Sequence, residues 1–401
     1  MYIYKLDNGV PIKIWSEKGS IDNSAIEQIE NLSKLPFAYD HVCMMPDGHG
    51  GYGMPIGGVL ATKGIVVPNA VGVDIGCGMC AVKTNYIVIE ESVLKNIMSE
   101  IRKAIPVGFN KHKGIIDNTL MPGVADLGEK DFHIPSEILD LNIVRKEWGN
   151  ALNSLGTLGG GNHFIEIQKD TNGFAWIMIH SGSRNLGYKV AQYYNNLAKK
   201  MNEKYYSSIP KEYDLAFLPI DSEEGQDYLA EMNYCLDFAQ ANRETMMRLV
   251  IDIFGKCNTL FDCEPHINIH HNYAAMENHF GSNVMIHRKG ATRARDGEIG
   301  IIPGSQGTNS YIVKGKGNTE SFMSCSHGAG RKMGRKKAKE NLVLEDEIKL
   351  LENKGVIHSI RSKENLDEAP SAYKDISIVM NNQKDLVDIV ETLTPLAVIK
   401  G

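Results

Sequence analysis

The sequence predicts an α+β fold: a single large globular domain of mixed β-sheets with flanking helices, spanning residues 1–401. Three observations carry that expectation. Strand-like and helix-like stretches are interleaved without the regular alternation of a doubly wound sheet. No low-complexity linker, tandem repeat or long charge block divides the chain. Its 401 residues, 42% hydrophobic and 23% charged, suffice for one large core or two ordinary ones.

Residues 1–85 read as short strands and loops, because "GVPIKIW", "HVCMM", "GVLATKGIVV" and "CAVKT" are apolar runs bounded by glycine, proline or aspartate. Residues 90–105 read as a helix. "GFAWIMIHSGSR" is an apolar run ending in small polar residues, a buried strand that stops at a site. Between residues 221 and 257, Leu229, Met232, Leu236, Ala239, Met246, Val250 and Ile253 recur at three- and four-residue steps and so share one face of a long helix. Its methionines read as core packing. "NVMIHRKGATRAR" and "EIGIIPGSQGTNSYIVKG" return to strand-and-turn character, and residues 343–353 read as a helix.

The formal net charge of −6 excludes a non-specific polyanion binder, so any grip on nucleic acid needs a local basic patch. No apolar run approaches a membrane span, and "MYIYKLDNGVPIKIW" lacks the regions of a signal peptide. Seven cysteines without a scaffold spacing read as reduced thiols in a cytoplasmic protein. The 39 glycines cluster, as they do where backbone approaches a ligand.

Five constellations carry chemistry. In "AVGVDIGCGMC", Asp74 and Cys77 flank a glycine turn and suit a transition ion softer than magnesium. Cys77 and Cys80 also make a C-x-x-C, but no second pair completes a structural zinc site. Taken alone, this stretch reads as a structural turn. In "LGTLGGGNHFIEI", three glycines let backbone amides face an anion just before Asn162, His163 and Glu166. His180 ends the strand "IMIHSGSR". In "INIHHNYA", His270 and His271 point to opposite faces of a strand, so one of the two serves a given metal. Asp74, Cys77, His163, His180 and one of that pair form a mixed set suited to manganese, iron or zinc. "IIPGSQGTNSYIV" offers Ser305 and Ser310 on a glycine turn. "GHGGYG" fits G-x-G-x-x-G without the helix that should follow, and there is no P-loop and no K-x-D-G nucleophile motif.

"MPDGHGGYGMPIGG", "VGVDIGCGM", "LGTLGGGNHFIEI", "HSGSR", "HHNY", "HRKGATRAR", "IPGSQGTNSYIV", "CSHGAGR" and "EAPSAYKDI", with "VIKG" at the end, occur together and in order. The chain thereby resembles the RtcB family of RNA ligases over essentially its whole length, and its size is similar to that of the shorter bacterial members. The resemblance implies an enzyme that joins RNA ending in a 3′-phosphate or 2′,3′-cyclic phosphate to RNA with a 5′-hydroxyl, using GTP and two Mn²⁺ ions. An activating helper protein is a further partner it allows. Cys77 would bridge the two ions, His163 and His180 completing one while Asp74 and His271 hold the other. His327 would be the nucleophile that becomes guanylylated. The nucleotide pocket would take Asn162, His163, Phe164, Ile165 and Glu166; His271 and Asn272; Pro303, Gly304, Ser305, Gln306 and Ser310; His327, Gly328, Ala329 and Gly330; Tyr373; and Lys400. Asp47 would lie near the metals, its role open. The chemistry is coherent: cations neutralise the phosphates while an imidazole attacks, and GMP on an RNA 3′-phosphate supplies the leaving group that the phosphate lacks. A phosphodiesterase that opens cyclic phosphates without ligation would use the same metal set, but would not need His327 or Lys400.

Gln306 stands where the family pattern has methionine, and Cys80 is added beside the metal turn. "CSHGAGRKMGRKKAK" divides in two. His327 to Gly330 form a phosphate-facing turn with Arg331 as a partner for phosphate charge. Lys332, Arg335, Lys336, Lys337 and Lys339 form a basic surface for RNA and solvent.

Overall fold

Asp22 accepts the Ala25 N–H at 2.9 Å and so starts a helix, Asn23–Ser33, that buries Ala25, Ile29 and Leu32 along one side. This helix corrects the expectation of strands and loops over residues 1–85; its many polar residues hide a stripe of four apolar positions, Ile26 packing beside the other three. The computed structural model describes residues 1–87, 90–114, 118–124, 135, 138–257, 263 and 267–401.

Two sheets dominate. The first has six strands in the order Tyr2–Tyr4, Ile12–Ile14, Ala38–His49, Ile56–Thr62, Ser282–Lys289 and Asn272–His279, antiparallel except for the second pair. The second has seven antiparallel strands in the order Ile267–His270, Gly78–Lys83, Ala175–Ser181, Phe164–Lys169, Val387–Lys400, Ser310–Gly315 and Ile299–Ile302. It coils until its two edge strands lie beside one another. The α+β class is therefore as expected, as are the helices Glu91–Ala104 and Leu344–Asn353. The long helix is Glu223–Cys257, with Met232, Ala239, Met246, Val250 and Ile253 buried.

Period-two alternation in the seven-stranded sheet sorts core from site. Cys80, Val82, Ile165, Ile167, Ile177 and Ile179 face outward under Leu94, Ile97, Met246 and Val250 of the two helices. The intervening residues Met79, Ala81, Phe164, Met178 and Val398 line the concave side. The register sets Phe164 opposite both His180 and Lys400, and Glu166 opposite Val398. Three chain segments thus bring Phe164, Glu166, His180 and Lys400 to one face.

Candidate active site

At the end of that face the histidine rings are aimed by the backbone. His163 Nδ1–H donates to Leu158 O at 2.9 Å and His180 Nδ1–H to Asn162 O at 3.1 Å. A carbonyl only accepts, so both rings keep their Nε2 lone pairs for the centre. Cys77 Sγ lies 3.5 Å from His163 Nε2 and 3.2 Å from His180 Nε2. His180 Nε2 is 3.3 Å from His271 Nε2, and His163 Nε2 is 3.3 Å from Asp74 Oδ2. Two triads sharing Cys77 result: Asp74, Cys77, His163 and Cys77, His180, His271. All five expected donors meet, but the partition differs from the expected one. The His271 N–H bonds to Cys77 O at 2.9 Å, which seats His271 at the cluster, and its ring meets that of His180 rather than Asp74. His270 turns the other way, onto Gly76 O and Arg243.

Burial, reinforced by His163, holds His180 well below the usual imidazole range; burial and the neighbouring His327 do the same for His271. Both are neutral, as ligands must be. Burial and Asp74 push the Cys77 thiol well up. A carboxylate, a thiol and neutral imidazoles packed this closely fit a pair of divalent transition ions, which would reverse that cost. Cys80 takes no part: it is buried in the outer apolar cluster, its thiol pushed up to about 12 by burial.

The His327 ring adjoins this cluster, its centroid 4.9 Å from that of His271. Asp47, fully buried, accepts both the His327 backbone N–H at 3.1 Å and its Nδ1–H at 2.6 Å through Oδ2. Burial opposes the Asp47 charge, but His327, with its hydrogen bond, His49 and Lys374 hold the carboxyl below its usual range. Gly330 has φ +71°, and a Cβ there would lie 2.1 Å from Asp47 O, so no other residue fits.

A cavity of about 1010 Å³ opens from His180 and His327. Of the expected nucleotide residues, Asn162, Phe164, Glu166, Pro303, Gly304, Ser305, Gln306, Gly328, Ala329, Gly330, Tyr373 and Lys400 line it. Three do not. Ile165 lies in the outer apolar cluster, as its place in the alternation dictates. Asn272 ties Asp74 O to the Gly290 N–H, at 3.0 and 2.7 Å. Ser310 is buried behind the wall, where its Oγ accepts from Gly304 N–H and Gln168 Nε2. Burial pushes Glu166 up to about 8, against the Gln168 hydrogen bond and the Lys400 charge.

Glu368 opens the "EAPSAYKDI" stretch, where nothing in the spacing marks it as functional. It gathers Arg331 Nη1 at 3.1 Å, Arg335 Nε at 3.3 Å, Lys400 Nζ at 3.4 Å and the Tyr373 hydroxyl. Arg331 is thereby committed to Glu368, Asp367 O and Met333 O rather than free for phosphate. Lys339 is paired with Glu364 at 2.7 Å, whereas Lys332, Arg335, Lys336 and Lys337 line the cavity. Among the described residues no helix is long and apolar enough to cross a membrane.

The family model described as tRNA-splicing ligase RtcB matches residues 28–401. The RNA-splicing ligase RtcB of Escherichia coli K12 is 39% identical over 98% of this chain and 97% of its own length. The tRNA-splicing ligases RtcB of Thermococcus kodakarensis and Nanoarchaeum equitans are 32% and 34% identical, each over 98% of this chain and 95% of its own length. With a family match over residues 28–401 and relatives of this identity and coverage, the chain belongs to the RtcB family of RNA-splicing ligases.

Proposed function

We propose that this RNA ligase joins a 3′-phosphate or 2′,3′-cyclic phosphate end to a 5′-hydroxyl end, with GTP as co-substrate and manganese as its metal. The observation that carries the reading is the Asp47–His327 pair set against the donor cluster at the mouth of one cavity. Asp47 keeps the proton on Nδ1, which leaves the Nε2 lone pair of His327 as nucleophile toward the α-phosphorus of GTP. A P–N bond forms and pyrophosphate leaves. A cyclic end is first opened by water, which adds to phosphorus as the P–O2′ bond breaks and leaves a 2′-hydroxyl and a 3′-phosphate. An oxygen of the RNA 3′-phosphate then takes the GMP from His327, and the 5′-hydroxyl oxygen attacks the RNA phosphorus and expels GMP.

Glu166 and Lys400 supply an acceptor and a donor to the guanine, and Phe164 and Tyr373 bound it. Asp74, Cys77 and His163 would hold one manganese ion and Cys77, His180 and His271 the other; the bound metal supplies charge neutralisation and lowers the pKa of water. Lys332, Arg335, Lys336 and Lys337 offer the RNA its phosphate contacts. A reducing, cytoplasmic setting suits the shared thiolate.

The test is a defined RNA pair, one ending in a 2′,3′-cyclic phosphate and one starting with a 5′-hydroxyl. A joined product that requires both GTP and Mn²⁺ is expected. Opening of the cyclic phosphate without joining under any nucleotide would instead support a phosphodiesterase.

A further inference from the structure

Phe109 has a relative exposure of 104%, so its ring gains nothing from burial. Yet the loop that carries it is tied down. Gly108 N–H donates to Gly159 O at 2.8 Å, Arg184 Nη2 donates to Gly108 O at 2.8 Å, and the His112 N–H donates to Asn153 O at 3.1 Å. His112 Nε2 adds a bond to Gly156 O at 3.1 Å. These bonds fix the backbone on both sides of Phe109, and so the place where its ring emerges into solvent, which lowers the ordering cost for a flat partner.

Its surroundings select the partner. Among the described residues beside it in the chain, Asn110, Lys111 and Lys113 are exposed and polar, a flank that suits nucleic acid better than an apolar protein surface. Gly108 and Gly160 carry no side chain that would cover it, and a Cβ on Gly160 would come within 3.6 Å of Gly108 Cα. The loop also abuts the active site. Gly159, its hydrogen-bond partner, has its Cβ position 2.5 Å from His163 Nδ1, and that of Gly161 lies 2.8 Å from Arg335 Nη2 at the cavity wall. An exposed aromatic ring in a lysine-bearing loop beside the cavity is the arrangement that holds single-stranded nucleic acid.

We propose that Phe109 is a base-stacking platform for single-stranded RNA entering the active site, with Lys111, Lys113 and Arg335 taking the phosphates on either side. The proposal rests on the ligase reading above and adds to it a defined nucleotide subsite outside the catalytic cavity.

Anisotropy of a labelled oligoribonucleotide of about ten residues with a 3′-phosphate tests it on the full chain. Stacking contributes about 1–3 kcal/mol per base, so Phe109→Ala should weaken binding roughly 5- to 150-fold, while Phe109→Tyr stays close to the parent. An abasic nucleotide walked along the oligomer should weaken the parent at one position and leave Phe109→Ala no weaker there. Labelling of His327 by GTP, measured in parallel, should be unchanged in Phe109→Ala. Parent protein that labels His327 while Phe109→Ala binds RNA normally, or loses affinity without coupling to any one base, overturns the platform alone and leaves the ring to a protein contact. Parent protein that neither labels nor binds RNA overturns the ligase reading with it.

Discussion

Asp47 Oδ2 holds both the backbone N–H and the ring Nδ1 of His327, at 3.1 and 2.6 Å, so one buried oxygen fixes the position and the tautomer of the proposed nucleophile. Asp47→Ala removes the acceptor of both bonds, so the ring loses its fixed position and can carry its proton on Nε2 instead. Transfer of label from GTP to the protein should fall on the order of 10³-fold with secondary structure retained by circular dichroism. Unchanged labelling would remove Asp47 from the account.

Lys374 straps this arrangement from behind. Its Nζ donates to Gly48 O at 2.6 Å and Pro46 O at 3.3 Å, the carbonyls on either side of Asp47. Its charge also helps to keep Asp47 ionised. Lys374→Met should therefore raise the Asp47 pKa and shift the acid limb of the labelling rate to higher pH, with a loss of about tenfold at neutral pH. A uniform loss of rate with an unmoved pH profile would make Lys374 merely structural.

Burial that pushes Glu166 up to about 8 has a stability consequence. In the unfolded chain this carboxyl ionises near 4.5, whereas the folded protein keeps its proton until about 8. The unfolded state therefore binds fewer protons in that window, and stability falls as pH rises through it. Urea unfolding at pH 5 and pH 8 should show Glu166→Gln gaining roughly 2–4 kcal/mol on the parent between the two. A constant difference would mean that Glu166 is ionised throughout.

Cys77 and Cys80 are three residues apart and should behave oppositely. Cys77→Ala removes the one atom common to both donor triads, so manganese affinity measured by calorimetry should drop at least about tenfold at both sites. Cys80→Ala empties a small volume among Ile97, Ile179 and Val250, costing about 1 kcal/mol without changing metal binding. Equal loss of metal in both variants would contradict the assignment.

Much of this was legible along the chain, because glycine turns and strand ends are local features. The long helix showed in its three-and-four spacing, and the donors Asp74, Cys77, His163, His180 and His271 showed as residue types beside turns. Their partition did not, since it depends on which rings meet across distant segments: His180 with His271 and His163 with Asp74. Ile165 was excludable from alternation alone, since Phe164 and Glu166 flank it on the opposite face. Asp47, Glu368 and Lys400 were quoted in motifs, but their roles arise from strand pairing and packing between distant segments. No spacing predicts that Asp47 meets His327 or that Glu368 gathers two arginines, a lysine and a tyrosine.

The central claim is that His327 makes the first bond. Incubation with α-labelled GTP and Mn²⁺, followed by peptide mapping under alkaline conditions, tests it most directly. The account predicts an acid-labile adduct of one GMP on the peptide that contains His327, absent in His327→Ala. No adduct under any divalent metal, or label on another side chain, would contradict it.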